Sequence, residues 1–365
     1  MSARKQQLIG LSSPEIAALC RELGHLTYRG RQIARWLYRT RVRDFDSMTD
    51  IPRDLRHKLA ECADLTRSRV LRESRSKDGT TKLLLSMADD EAIECVLLPY
   101  QDRVSVCVST QVGCPAGCIF CATASGGFVR NLTAGEIVEQ VLTLSDVLGP
   151  GDRVTHVVFM GMGEPLLNLQ NVVKAVDLLH DGVGISMRRM TISTVGITPA
   201  IRKLSELDMQ LTLAVSLHAP DQELRRKLIP ISARYPLDEL ISACRDYANR
   251  TRRRVTFEYL LLSGVNDSPK HARALARLLR GMLCHVNLIP YNPVAGKSFS
   301  RPSGRAITVF RSILEDSGVA VTQRVERGHA VSAACGQLRR RCLKARAHEP
   351  LQEPASAPDS GKNMP

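Results

Sequence analysis

The chain has no apolar run approaching the ~20 residues that a membrane span requires. Its opening, Met1-Ser-Ala-Arg-Lys-Gln-Gln, leads into no apolar signal core. These two absences argue against a membrane protein and predict a cytoplasmic one. Acidic residues are also in deficit: 37 Asp and Glu face 51 Lys and Arg, for a formal charge of +14. That excess favours a polyanionic partner, with nucleic acid first and an anionic lipid surface second. The most telling absence is a missing cysteine. The run Cys114-Pro-Ala-Gly-Cys118-Ile-Phe-Cys121 holds three, and no fourth follows close behind.

Four thiolates make a full set for a four-iron cluster. Three in a Cys-x3-Cys-x2-Cys loop suit a [4Fe–4S] cluster with one iron left open to a substrate or cofactor. A structural zinc site wants four ligands, usually in paired Cys-x2-Cys knuckles, and Cys107 or His156 would have to complete it. A redox dithiol would need only Cys118 and Cys121. Eleven cysteines in a chain without an export signal predict reduced thiols, a few of them recruited to chemistry.

The positive charge is unevenly spread. Arg29, Arg31, Arg35, Arg39, Arg41 and Arg43 crowd one segment, with Tyr28, Trp36 and Tyr38 among them. Arginine forks suit phosphates, and aromatic faces stack on unpaired bases. For Trp36 and Tyr38 the simpler reading is an amphipathic helix with its aromatics turned to its own core.

Residues 1–90 read as a mainly helical accessory domain. A cap at Ser12-Ser13-Pro14-Glu15 opens its first helix. Lys82–Ser86 and Ala92–Leu98 read as strands of a small antiparallel element. From Val104 the text alternates β-rich runs with helical stretches about six times, up to the run His285–Pro290. That is the pattern of a parallel sheet with helices outside, an α/β fold closing into an open or partial barrel. Chemistry in such folds sits at the C-terminal ends of the strands. The cysteine loop follows the first run and Gly161-Met-Gly-Glu-Pro165 the second. Ser193-Thr-Val-Gly196 follows the third, Ser216-Leu-His-Ala-Pro220 the fourth and Tyr291-Asn-Pro293 the sixth. The core domain is expected over 91–345, and the Pro- and Ser-rich end, 346–365, reads as a disordered tail.

These motifs resemble the RlmN/Cfr family of radical S-adenosylmethionine (SAM) enzymes, which methylate an adenine of large-subunit ribosomal RNA. The resemblance runs from the N-terminal helices to about Leu338. It is carried by Cys107-Val-Ser-Thr-Gln-Val-Gly-Cys114, Arg130-Asn-Leu-Thr-Ala-Gly-Glu136, Gly161-Met-Gly-Glu-Pro-Leu-Leu-Asn168, Ser216-Leu-His-Ala-Pro220 and Ala333-Ala-Cys-Gly-Gln-Leu338. It implies a partial (β/α)6 radical SAM barrel with a small N-terminal helical domain that binds RNA. It implies one [4Fe–4S] cluster on Cys114, Cys118 and Cys121, and two SAM molecules per turnover. Gly163, Glu164, Ser193, Ser216, Leu217, His218 and Asn292 match the family's SAM contacts.

The same resemblance implies a mechanism. Adenine C2 is electron-poor and cannot attack the methyl of SAM in an ordinary displacement. One SAM methylates Cys335, and a second yields a deoxyadenosyl radical that removes hydrogen from the S-methyl group. The methylene radical adds to the adenine, Glu94 takes the C2 proton, and Cys107 resolves the adduct by a disulfide with Cys335. The implied target is adenine 2503 of 23S rRNA, with adenine 37 of tRNA as a second candidate. A monomer served by an electron donor such as flavodoxin is expected. Gly328-His-Ala-Val-Ser332 departs from the family's acidic pattern, and the run 122–127 lacks its usual methionine. These departures leave C2 and C8 of adenine open. A C8-specific Cfr-like enzyme, a radical SAM enzyme of another substrate, and a zinc-stabilised RNA-binding protein are the alternatives.

Overall fold

The computed structural model describes residues 5–65, 68–294, 296–324, 337 and 341–342. Helix α1 (Ser13–Glu22) starts at a capping box: Ser12 Oγ accepts the Glu15 N–H, and the Glu15 carboxylate accepts the Ser12 N–H. Helix α2 (Arg29–Arg35) crosses it at Gly30, where an added Cβ would stand 2.5 Å from the Ala17 nitrogen. It runs on as one π turn, Trp36–Thr40. Helix α3 (Arg53–Cys62) ends the helical part.

The basic aromatic segment is tied inward. Tyr38 is buried, and its hydroxyl donates to the Leu11 carbonyl at 2.6 Å and accepts the Gly10 N–H at 3.0 Å. Trp36 Nε1 donates to Asp50, which also pairs with Arg35 at 2.7 Å. Arg41 and Arg43 both reach Asp146, and Arg39 donates to the Gly182 carbonyl. Arg39, Arg41 and Arg43 therefore fasten the helices to the body of the molecule. Arg31 is exposed and has no ion pair among the described residues.

One sheet dominates the rest. Strands β1 (Arg69–Arg75), β2 (Thr81–Ser86), β3 (Glu91–Pro99) and β4 (Val104–Cys107) pair antiparallel in succession. From β4 the ladder turns parallel through β5 (His156–Phe159), β6 (Met190–Thr194), β7 (Thr212–Ser216), β8 (Val255–Leu261), β9 (Cys284–Pro290) and β10 (Val321–Gln323). Strand order equals chain order throughout this path. A short β11 (Arg341–Cys342) returns antiparallel to β3. Helices α4 (Ala122–Ser125), α5 (Ala134–Asp146), α6 (Leu169–Asp177), α7 (Thr198–Glu206), α8 (Gln222–Leu228), α9 (Leu237–Thr251), α10 (Pro269–Leu278) and α11 (Gly304–Asp316) lie between the parallel strands. Strands covered by helices are buried and read as apolar runs, as Val255, Phe257, Tyr259 and Leu261 do. This is the expected α/β fold, a mainly parallel sheet with helices between its strands.

Two expectations shift. Helix stops at Cys62, and the stretch to residue 90 holds the strand expected at 82–86 together with a second one, β1, that was not expected. The antiparallel pair is not a separate element: β1 to β3 extend the barrel sheet from its β4 edge. β1 escapes a reading by pattern because its residues, Arg69-Val-Leu-Arg-Glu-Ser-Arg75, are mostly exposed and show no apolar alternation. A seventh parallel strand, β10, follows the six read from the sequence. No helix among the described residues is long and apolar enough to cross a membrane.

The segment after β4 is held by Gln140 on α5. Its Oε1 accepts the Ser109 N–H at 2.8 Å, and its Nε2 donates to the Ser109 carbonyl at 2.9 Å. Gln140 is fully buried. Replacing it by Leu would strand both Ser109 groups, so Gln140→Leu should cost about 2–4 kcal/mol in denaturant unfolding. A loss under ~0.5 kcal/mol would mean the pair is dispensable.

Candidate active site

The strand ends converge on one cleft. Its walls include Cys114, Cys118, Phe120, Cys121, Gly163, Glu164, Ser193, Ser216 and His218, with Glu258, Tyr291 and Arg324 further round. The arrangement begins with close backbone approach. A Cβ on Gly161 would stand 2.7 Å from the Val108 carbonyl carbon. One on Gly163, whose φ is +105°, would stand 2.8 Å from the Gln111 nitrogen. Only glycine fits both positions. The two loops are then laced together. The N–H groups of Thr110 and Gln111 donate to the Met162 carbonyl at 2.8 and 3.2 Å. Gln111 Oε1 accepts the Glu164 N–H at 2.8 Å, and Asn168 Nδ2 donates to the carbonyls of Thr110 and Leu132.

Glu164 is 2% exposed. Its carboxylate accepts the Leu166 N–H at 3.0 Å and the Val195 N–H at 2.7 Å. Burial pushes its pKa up to about 7, against the opposing pull of hydrogen bonds from Val195, Thr194 and Leu166. Burial likewise raises the Cys114 thiol to about 12 and the Cys118 thiol well above its usual range. Metal ligation by these thiols must therefore release protons. His218 sits in a left-handed conformation, φ +59°, and its Nδ1 accepts the Leu260 N–H at 3.0 Å. Its ring meets Phe120 edge-on at 5.0 Å. Burial first, and then the Arg225 charge, lower its pKa to about 3, so the imidazole is neutral at physiological pH.

The expected residues divide by position. Cys114, Cys118, Cys121, Gly163, Glu164, Ser193, Ser216 and His218 share the cleft. Leu217 does not line it: its side chain is core, and its N–H donates to the Glu258 carbonyl. Asn292 is also absent from the lining, but it is buried with an Oδ1 that finds no partner among the described residues. Glu94 and Cys107 lie outside the cleft lining, on neighbouring strands. Val96 faces Cys107 in that ladder, so Glu94 and Cys107 are diagonal neighbours on one face. Glu94 is buried and pairs with Lys82 Nζ at 3.2 Å. Cys335 lies outside the described residues, as do the segment 328–332 and the tail 346–365. Among the described residues no three His, Cys, Asp or Glu side chains converge on a single-ion site. Cys114, Cys118 and Cys121 line the same cleft and act on one another electrostatically, a set of three thiols that fits a cluster with one iron left open.

Sequence reading passed over Gln111, Gln140, Arg225 and Glu258. Each looks like an ordinary polar residue on a helix or strand, and only burial marks it. Arg225 and Gln140 are fully buried, Gln111 is 1% exposed, and Glu258 is 5% exposed.

Residues 108–276 match the model of the radical SAM superfamily, and 6–65 match that of the ribosomal RNA large subunit methyltransferase N-terminal domain. A "probable dual-specificity RNA methyltransferase RlmN" of Gloeobacter violaceus is 50% identical, covering 93% of this chain and 97% of its own. The chain belongs to the RlmN family. A relative of the same description from Moorella thermoacetica is 51% identical over 91% of this chain and 96% of its own. The crystal structure of a radical SAM methyltransferase from Sphaerobacter thermophilus superposes with a TM-score of 0.88 at 48% identity. That match covers 91% of this chain and 99% of the other. Membership of this family implies a [4Fe–4S] cluster and SAM as cofactors.

The buried carboxyl gives a pH test. Ligand-free Glu164 holds its proton up to a pH of about 7, above its ordinary 4.5. It therefore costs stability as pH rises through that window, whereas an ammonium ligand prefers the ionised form. SAM binding, followed by calorimetry, should tighten severalfold between pH 6 and 8. Glu164→Gln should bind at least tenfold more weakly with a flat profile. A flat profile in the wild-type protein would remove Glu164 from ammonium recognition.

Proposed function

We propose that this chain is a radical SAM methyltransferase acting on C2 of an adenine in RNA, with 23S rRNA adenine 2503 as its main target and tRNA adenine 37 as a second. The observation that carries the reading is the shared cleft: three cysteines, a Gly-Glu turn and the Ser193, Ser216 and His218 loops meet in a chain half identical to RlmN relatives. Cys114, Cys118 and Cys121 hold the cluster. Gly163 lets the backbone approach SAM, and Glu164 pairs with its ammonium. Ser193, Ser216, His218 and the buried Asn292 orient the rest, with Leu217 contributing backbone. The cluster and SAM, when bound, supply an electron, a methyl group and a carbon radical.

The remaining chemistry falls to the chain's own groups. Cys335 carries the methyl group. Gln337, two residues on, donates from Nε2 to the Pro293 carbonyl at 3.0 Å, beside Asn292. Cys107 resolves the covalent adduct by a disulfide with Cys335, and Glu94, its neighbour on the same sheet face, accepts the C2 proton. Arg324, which lines the cleft, and Gln337 flank the segment that bears the carrier. Residues 1–90 form an accessory region whose helices engage RNA, 91–345 the catalytic core, and 346–365 a tail. The +14 charge suits a polyanion in the cytoplasm, with a monomeric enzyme reduced by a flavodoxin-type donor.

The two thiols should fail differently. Cys335→Ala should form no RNA adduct and carry no methyl group. Cys107→Ala should accumulate a protein–RNA crosslink that survives denaturant and disappears with ribonuclease. Normal turnover in Cys107→Ala with no crosslink would leave the two-cysteine mechanism without support, and nucleoside mass spectrometry of the RNA would then identify the modified atom.

A further inference from the structure

Arg225 is the largest fully buried side chain of the described molecule, and it is a cation. It projects from α8, the helix behind the cysteine loop. That helix and the loop are hydrogen-bonded through the Ile119 N–H and the Leu228 carbonyl at 3.1 Å. Ala116, Cys118, Phe120, Leu228 and Ile229 pack in one apolar cluster there. The guanidinium donates from Nη2 to the Val195 carbonyl. Its Nε and Nη1 are buried and find no hydrogen-bond acceptor among the described residues. No carboxylate pairs with it among the described residues. Burial lowers its pKa to about 10, so it remains charged at neutral pH, and the thiols of Cys118 and Cys244 and the imidazole of His218 are near enough to interact with it electrostatically.

A buried charge without a counter-charge is costly, and proteins retain one where an anion stands opposite. Among the elements that meet here, the cysteine loop is where anionic charge would assemble, as iron-bound thiolates. The potential of an iron–sulfur cluster depends on net charge, nearby hydrogen bonds and solvent exposure. Reduction adds one negative charge to the cluster. A fixed cation behind it, in a low-dielectric setting, favours the reduced state.

We propose that Arg225 is a positioning residue that raises the reduction potential of the cluster, acting through its buried charge behind the Cys118 loop while its Nη2 anchors the Val195 carbonyl. The proposal rests on the assignment of Cys114, Cys118 and Cys121 as cluster ligands. Val195 links it to the SAM site, because the N–H of the same residue donates to Glu164. One side chain thus steadies the SAM-binding loop and biases the electron acceptor beside it.

The test is a redox titration followed by electron paramagnetic resonance on reconstituted Arg225→Met, Arg225→Gln and Arg225→Lys, with iron and sulfide assayed in each. Met and Gln remove the charge, and Met also avoids stranding a polar group. Both should load iron as the wild type does and be at least tenfold less reduced at the wild-type midpoint, a shift of about 59 mV for a one-electron couple. Lys should keep the wild-type midpoint. Full iron with an unshifted midpoint in the neutral variants overturns the proposal. If the neutral variants fail to load iron while Lys loads it, Arg225 serves assembly rather than the potential and the proposal falls. If Lys fails with them, or its midpoint falls as far as theirs, Arg225 is a packing group and the proposal falls. Iron content of the wild type against Cys118→Ala tests the ligand assignment separately, since that assignment can fail whatever Arg225 does.

Discussion

The site depends on backbone meeting backbone. The turn after β5 presses Gly161 and Gly163 against residues 108–111, closer than any Cβ would allow. That contact fixes the origin of the cysteine loop relative to the Gly-Glu turn. Everything downstream inherits the placement. Thr110 and Gln111 share the Met162 carbonyl, the Ser109 hydroxyl accepts the Met162 N–H and donates to the Glu94 carbonyl, and Gln140 holds both backbone groups of Ser109. The chain from β3 to α5 is thereby locked to β5 by hydrogen bonds that cannot be exchanged for water, because each is buried.

Burial then tunes the groups in the cleft in one direction: away from charge. Glu164 and the thiols of Cys114 and Cys118 all have raised pKa values, and His218 has a lowered one. Such a site is poised to receive charge from its ligands rather than to display its own. Cationic SAM would repay the ionisation of Glu164, and iron would repay that of the thiols. Arg225 is the exception, a cation kept ionised behind the loop. Burial lowers its pKa too, but not far enough to discharge it at neutral pH, and strong burial shifts gathered in one cleft are a mark of a chemical site.

The N-terminal helices illustrate a different use of charge. A basic segment rich in aromatics invites a nucleic-acid reading, yet Tyr38 faces the core and Asp50 and Asp146 take up Arg35, Arg41 and Arg43. These pairs are partly exposed and individually weak. The Asp146 pairs orient the helices on the barrel, while Asp50 ties Arg35 within the helical part and Arg31 stays exposed. Net charge speaks of the partner's class, whereas the fate of each arginine depends on which acidic residue the fold brings to it.

Local chemistry made much of this protein readable in advance. The cysteine spacing, the glycines of the Gly161–Pro165 turn, the cap at Ser12 and the alternation of apolar runs with helical stretches are set by near neighbours in the chain. They pointed to the α/β barrel, its strand-end loops and the three cluster cysteines, and the family resemblance added Gly163, Glu164, Ser193, Ser216 and His218 of the cleft lining. β1 stayed hidden because an exposed edge strand needs no apolar alternation. β10 stayed hidden because three residues carry too little pattern. The pairing of Glu94 with Lys82, the burial of Arg225 and the clasp of Gln140 on Ser109 depend on contacts between segments remote in sequence. A polar residue on a helix looks the same in the sequence whether it faces water or the back of a cysteine loop, and only the packing of α8 and α5 on the sheet decided which.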